Sequence, residues 1–224
     1  MIKQRYIALA LCALVLTVSL CACGGVRIKY DGEDGSYTDR RGNEYLRAPS
    51  CYEPVSYLSE DVAGKLTAGI GKFDLYAIAK TEEGKWLTTA DGDVLYRSDV
   101  TLPELEEFGA SNILICREGE VIHAFASIES QQEIDALVKA YTEGESIPYP
   151  ARMAEQSLRL RFESDAYPFL YYRLTYLEYS SDVIVYSLDE NGQEIETNYG
   201  KYFIYNRDDG RCVPISDAVH QYVE

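Results

Sequence analysis

Residues 6–22 form an unbroken, uncharged and mostly apolar run, preceded by Lys3 and Arg5 and followed by no acidic residue before Asp31. Such a stretch does not belong on the outside of a water-facing fold. At 17 residues it sits at the short limit for a bilayer-spanning helix, which needs about 20. A positive start, an apolar middle and small residues at the end are the layout of a secretory signal, which is removed and takes no part in folding. The folding problem then reduces to residues 23–224, a length that suits one large domain or two small ones.

The run ends Leu20-Cys21-Ala22-Cys23-Gly24-Gly25. This resembles the lipobox of bacterial lipoproteins, with Leu three residues before a cysteine, a small residue just before it and Gly just after. The resemblance covers the first two dozen residues only. It implies diacylglyceryl transfer to the Cys23 sulfur, cleavage between Ala22 and Cys23, and acylation (palmitate among the chains) of the new amino group. Cys21 departs mildly from the usual residue two before the cut, and a cut before Cys21 would put bulky Leu20 at the scissile bond. Each buried methylene contributes about 0.8 kcal/mol, so two or more chains anchor a protein where one does not. The expectation is a cell-envelope protein, lipid-anchored through Cys23 on the extracytoplasmic side of a membrane.

Beyond the signal, 19 basic residues face 37 acidic ones, a formal charge of −18. That balance repels nucleic acid and anionic lipid alike, and reads first as a solvated surface. Tyrosine is abundant, 20 in the whole chain against one tryptophan. A ring on the sheet with its hydroxyl in water suits half-buried strand positions, so the excess says β-rich before it says ligand-binding.

Residues 23–36, rich in Gly and acids, read as a lipidated tether. Residues 37–46 read as a hairpin turning at Arg41-Gly42-Asn43, and residues 73–97 as a three-strand meander turning at Gly84 and Gly92. Pro103 opens a short helical turn. Ser130 and Glu133 make a capping-box pattern, and Ile134, Leu137, Val138 and Tyr141 fall on one stripe, which predicts a helix over 131–142. The stiff segment Ile147-Pro-Tyr-Pro150 is the best boundary, dividing an α+β subdomain, 37–147, from a β-rich one, 151–224. The second holds strands at 158–162, 169–179, 183–188, 194–197, 201–206 and 212–215, and a C-terminal helix starting at Ser216. The expected fold class is α+β, with mostly antiparallel strands and two or three short helices.

Motifs for chemistry are scarce. With Cys23 taken by lipid, Cys51, Cys116 and Cys212 remain, an odd number that allows one disulfide. Cys51 and Cys212 lie beside turn residues and are the favoured pair. A two-residue turn at Glu118-Gly119 would make Cys116 and His123 diagonal neighbours, about 7–8 Å apart at the backbone, a residue pair that elsewhere serves as nucleophile and base. Their surroundings are apolar on both faces, which makes them core residues and keeps the thiolate scarce. His220 would sit near the end of the last helix, where the dipole favours its charged form. The loop from Asp189 starts like a calcium loop, with Asn191 third, but Glu194 stands where Gly is needed and Gly200 ends it. No nucleophile elbow, phosphate loop or zinc-protease motif occurs, and nothing calls for a metal or cofactor. The leading expectation is a non-enzymatic binding module for protein, peptide or glycan. An envelope hydrolase using acidic residues and a structural or assembly role are the alternatives.

Overall fold

The computed structural model describes residues 26–30, 37–117, 122–188 and 190–223. Among these, strands dominate: sixteen, mostly antiparallel, against two α-helices, one of them a single turn. The chain is therefore mostly β rather than α+β, while the mostly antiparallel strands and two short helices are as expected. The element expected from Ser216 is only a 3-10 turn, His220–Tyr222, closed by bonds three residues apart such as Tyr222 N–H to the Val219 carbonyl. No helix among the described residues is long and apolar enough to cross a membrane.

Seven strands close into a barrel. They are β1 (Val26–Tyr30), β2 (Tyr37–Asp39), β3 (Glu44–Arg47), β5 (Tyr57–Ala68), β6 (Gly71–Ile78), β7 (Trp86–Thr89) and β8 (Val94–Arg97). Round the ring the order is β1-β2-β3-β8-β7-β6-β5. The predicted hairpin and meander are both present, at the expected turns. Alternation along each strand fills the inside with Ile28, Tyr45, Leu66, Leu75, Leu87 and Leu95. The ring closes where β1 pairs parallel with β5, Ile28 opposite Leu66. Gly64 permits this contact, because a Cβ there would lie 2.2 Å from the Val26 carbonyl oxygen. The tether expected over 23–36 is thus corrected at Val26–Tyr30. Its Val-Arg-Ile-Lys-Tyr alternation has period two and makes it a barrel strand. Cys23 and the rest of that stretch lie outside the described residues.

The second body is an open sheet in the order β10-β9-β11-β12-β15-β16, with β4 (Tyr52–Pro54) paired to β12. Its strands are β9 (Ala110–Arg117), β10 (His123–Ile128), β11 (Gln156–Ser164), β12 (Leu170–Glu178), β15 (Tyr202–Tyr205) and β16 (Cys212–Ile215). β9 and β11 pair directly, Ile115 opposite Leu160, although residues 147–150 separate them in sequence. The boundary expected at that segment is corrected accordingly. The two bodies divide after β8, where α1 (Leu105–Phe108) leads into the sheet. Helix α2 (Gln131–Glu143) matches its prediction, and its buried Ile134, Leu137 and Tyr141 cover one face of the sheet. The same core takes Ile78, Trp86, Val94 and Tyr96 from the outer wall of the barrel, with the Trp86 and Phe169 rings 5.1 Å apart. A separate hairpin, β13 (Ile184–Leu188) and β14 (Glu194–Asn198), makes a two-stranded sheet.

Candidate functional site

On the sheet face away from α2, strand alternation gathers charge. In β11, Leu158, Leu160 and Phe162 point into the core, which turns Arg159, Arg161 and Glu163 outward. In β12, Tyr172, Leu174 and Tyr176 are buried and Tyr171, Arg173 and Thr175 face out. In β4, Tyr52 is buried and Glu53 faces out. The register sets Glu53 opposite Tyr171 and Arg161 opposite Arg173, so three guanidiniums converge on one carboxylate.

The contacts are close and shared. Glu53 Oε1 accepts from Arg159 Nη1 and Arg173 Nη1, each at 2.9 Å. Glu53 Oε2 accepts from Arg161 Nε at 2.8 Å and Arg161 Nη2 at 2.7 Å. The Glu53 side chain is 13% exposed and those of the arginines 15–21%, so water screens these charges only partly. Arg161 also lies 4.8 Å over the Tyr171 ring. Glu53 is thus the shared acceptor of three guanidiniums, inside a chain whose formal charge is −16. Arginine suits carboxylate and phosphate because its planar fork donates from several nitrogens at once, and Arg173 also donates from Nη2 to the Ser50 hydroxyl at 2.9 Å.

Two cavities flank the cluster and share Arg159 and Arg173 as walls. One, about 310 Å³, runs past Ser50, Glu53 and the β7–β8 turn at Asp91-Gly92-Asp93. The other, about 300 Å³, is lined by Tyr149, Ser157, Thr175, Tyr205, Asn206 and Arg207 among others. Tyr149 and Tyr205 meet edge to face at 4.7 Å, and Tyr149 is 48% exposed. The result is a groove with arginine at its centre, an aromatic pair on one side and acidic turn residues on the other. Its near wall is braced by Asp208. That carboxylate accepts from the Ser50 hydroxyl at 2.7 Å and the Cys51 amide at 2.6 Å. Burial alone would raise its pKa, but these hydrogen bonds hold it below the usual value.

The cysteines do other work than expected. Cys51 and Cys212 are both free and buried, and the disulfide expectation is corrected. They belong to different cores. Cys51 packs with the main sheet cluster, whereas Cys212 packs with Ile147, Leu177 and Phe203 on the opposite face. Burial pushes the Cys51 thiol up to about 12, with the Asp208 charge adding to it, and burial pushes Cys212 up to about 11. Burial raises Cys116 as well.

Cys116 and His123 do not meet. The β9–β10 register puts Ala124 opposite Cys116 and His123 opposite Arg117, so the two side chains leave opposite faces of the sheet. The turn expected at Glu118-Gly119 lies outside the described residues, and β10 carries a bulge at Phe125, which is 42% exposed. His220 lies with its Nδ1 3.2 Å from Glu178 Oε2, which also accepts from the Tyr176 hydroxyl at 3.1 Å. Among the described residues, no group of three or more His, Cys, Asp or Glu is arranged to hold a metal ion. Asp189 lies outside the described residues.

Sequence reasoning passed over the arginine cluster. Its signal was present in the alternation Leu158-Arg-Leu-Arg-Phe-Glu163, which sets two arginines on one face of a strand. The carboxylate that gathers them comes from a hundred residues earlier, in a three-residue strand without a pattern of its own. Comparison of the chain with protein-family models, with curated proteins and with solved structures finds no match.

Proposed function

We propose that this chain is a lipid-anchored cell-envelope protein that binds an anionic ligand, a peptide or glycan bearing carboxylate or phosphate, in the arginine groove of its open sheet. The observation that carries the reading is the convergence of Arg159, Arg161 and Arg173 on the single carboxylate of Glu53. The groove joins this charge to the stacking surface of Tyr149 and Tyr205, and the pairing of a fixed anion site with an aromatic wall suits an extended ligand with charged and apolar parts. The hydrolase alternative asks for converging carboxylates, whereas here Glu53 is tied to three arginines and Asp93 to Arg47 at 2.7 Å. The leader and lipid remain part of the same proposal and rest on the lipobox at Leu20–Cys23.

The test is a thermal-shift screen with acidic peptides and uronic-acid oligosaccharides, against neutral counterparts. A ligand at 100 times its Kd adds about 2.7 kcal/mol of stability, which reads as a clear rise in Tm. Tyr149→Ala and Arg207→Gln, at the groove's exposed side, should reduce that rise without unfolding the chain. Stabilisation by none of the acidic probes refutes the groove. For the anchor, labelled palmitate should appear on the wild type and be lost in Cys23→Ser.

One observation favours assembly as a second reading. Ile184, Tyr186 and Leu188 share one face of the β13–β14 hairpin and are 42%, 60% and 72% exposed.

A further inference from the structure

The barrel carries a second concentration of positive charge, on its outer wall. A hollow of about 720 Å³ there is lined by Arg27, Lys29, Arg40, Lys65 and Lys72, with Asp39 as its one acidic residue. The register explains the cluster. Arg27 pairs with Lys65, Lys29 with Thr67, and Thr67 with Lys72, so these cations stand in two rows across β1, β5 and β6. All five are exposed. Asp39, whose carboxylate accepts from the Arg41 and Asn43 amides and the Asn43 side chain, stays charged and offsets part of theirs. Lys65 is paired with Asp74.

We propose that this wall lies against a membrane surface of anionic lipid and sets the orientation of the protein there; the proposal rests on the lipid-anchor reading of Cys23. Three observations bear on it. The first cation of the wall, Arg27, stands four residues after Cys23, so acyl chains on that sulfur lie at most about 14 Å of extended chain from it. The wall's strands β1 and β5 lie across the ring from β7 and β8, whose outer side chains Trp86, Val94 and Tyr96 are committed to the open sheet, and Lys72 stands at the opposite end of β6 from Ile78, which packs there too. At the tip of the β5–β6 hairpin, two residues before Lys72, Ile70 is fully exposed, an apolar side chain placed to enter the interfacial layer. Juxtamembrane cations are drawn to anionic headgroups within a Debye length of the surface. The net charge of the chain opposes that attraction overall, so the local wall decides which side faces the lipid. The open sheet is then held on the far side of the barrel.

The test uses the purified full-length lipidated chain on vesicles of phosphatidylcholine alone and of phosphatidylcholine with phosphatidylglycerol. An amine-reactive label, read by peptide mass spectrometry, reports each lysine. Lys29 and Lys72 should label more slowly on the anionic vesicles by on the order of tenfold. That protection should vanish in high salt, while Lys85 and Lys139 label alike on both. Substituting Lys29→Glu together with Arg27→Glu should abolish the remaining protection of Lys72, with Trp86 fluorescence confirming the fold. Equal labelling on both vesicles overturns the proposal, and so does equal protection by soluble glycerol phosphate, which would make the hollow a site for a small free anion. Sedimentation with pure phosphatidylcholine vesicles reports the acyl anchor separately. A chain that fails there but is still protected on anionic vesicles sinks the anchor and supports the wall.

Discussion

Every strand of the barrel has a neighbour on both sides, whereas β10 ends the open sheet with β9 alone. The barrel buries a small apolar core inside itself, and its outer wall is left for other uses: one side packs on the sheet, another gathers cations. The sheet cannot enclose anything. It needs α2 and the wall of β6, β7 and β8 to cover one face, and its other face holds the arginine groove. Closure therefore frees an outer surface, while an open sheet spends one face on its core and keeps one for function. Both bodies concentrate positive charge in a strongly acidic chain, but differently. In the groove it is half-buried and organised round a carboxylate, and on the barrel it is exposed.

That difference predicts unequal responses to mutation. The largest effect is expected at Glu53→Ala. Removing one partner of a partly buried ion cluster leaves the others uncompensated, and should cost about 3 kcal/mol or more by chemical denaturation. Glu53→Gln should also destabilise, yet tighten binding of acidic probes, since the arginines lose the negative charge between them. A destabilised variant with unchanged affinity would reduce the groove to a structural ion cluster.

Next comes Leu87→Ala inside the barrel, where Leu87 is 1% exposed. A cavity of that kind costs about 3 kcal/mol. Hydrogen exchange should quicken in β5 to β8 while β9, β11 and β12 keep most of their protection. Loss of protection in both bodies together would show that they unfold as one unit and would break the comparison.

High pH should then tell the bodies apart. Cys51 (about 12), Cys212 (about 11), Tyr141 and Tyr179 (each about 12) are raised chiefly by burial, and all belong to the sheet and its covers. Burial also raises Tyr52, Tyr172 and Tyr176 there. A folded pKa above the unfolded one means the folded state keeps its proton longer. The stability is fully present below the unfolded values of 9.0 for thiols and 10.0 for phenols, and is lost as pH rises towards 12. Near-ultraviolet circular dichroism should change first for the sheet, although Tyr45 in the barrel is raised by burial too. Iodoacetamide at pH 8 should leave all three described thiols unmodified until denaturant is added. The smallest effect is expected for Asp93→Asn. Its bridge to Arg47 is exposed on both sides, and thermal melts should move by less than about 1 kcal/mol.

Sequence reading found what is local. The 131–142 helix was legible because its stripe and start signal are contiguous, and the hairpins because Gly42, Gly92, Gly192 and Gly210 take positive φ at their turns. Strand β16 was read to the residue. Long-range pairing was not legible. Nothing in Val26–Tyr30 announces a parallel partner forty residues on, and the glycines before it and acidic residues after it in sequence masked its alternation. Residues 147–150 looked like a division because prolines stop pairing locally, yet β9 and β11 meet across them. In the groove, Arg159 and Arg161 could be placed on one face, but Glu53 and Arg173 join them only through the register of three strands. The −18 of the expected mature chain concealed both basic regions, because a sum carries no positions.

The parallel seam between β1 and β5 has a mechanical meaning. A tug on the residues preceding Val26 runs along the strand axis, so the seam's hydrogen bonds bear it together in shear rather than opening one at a time as a zipper would. Gly64, by letting the two backbones approach so closely, lets that seam share with the β1–β2 ladder any pull that reaches Val26.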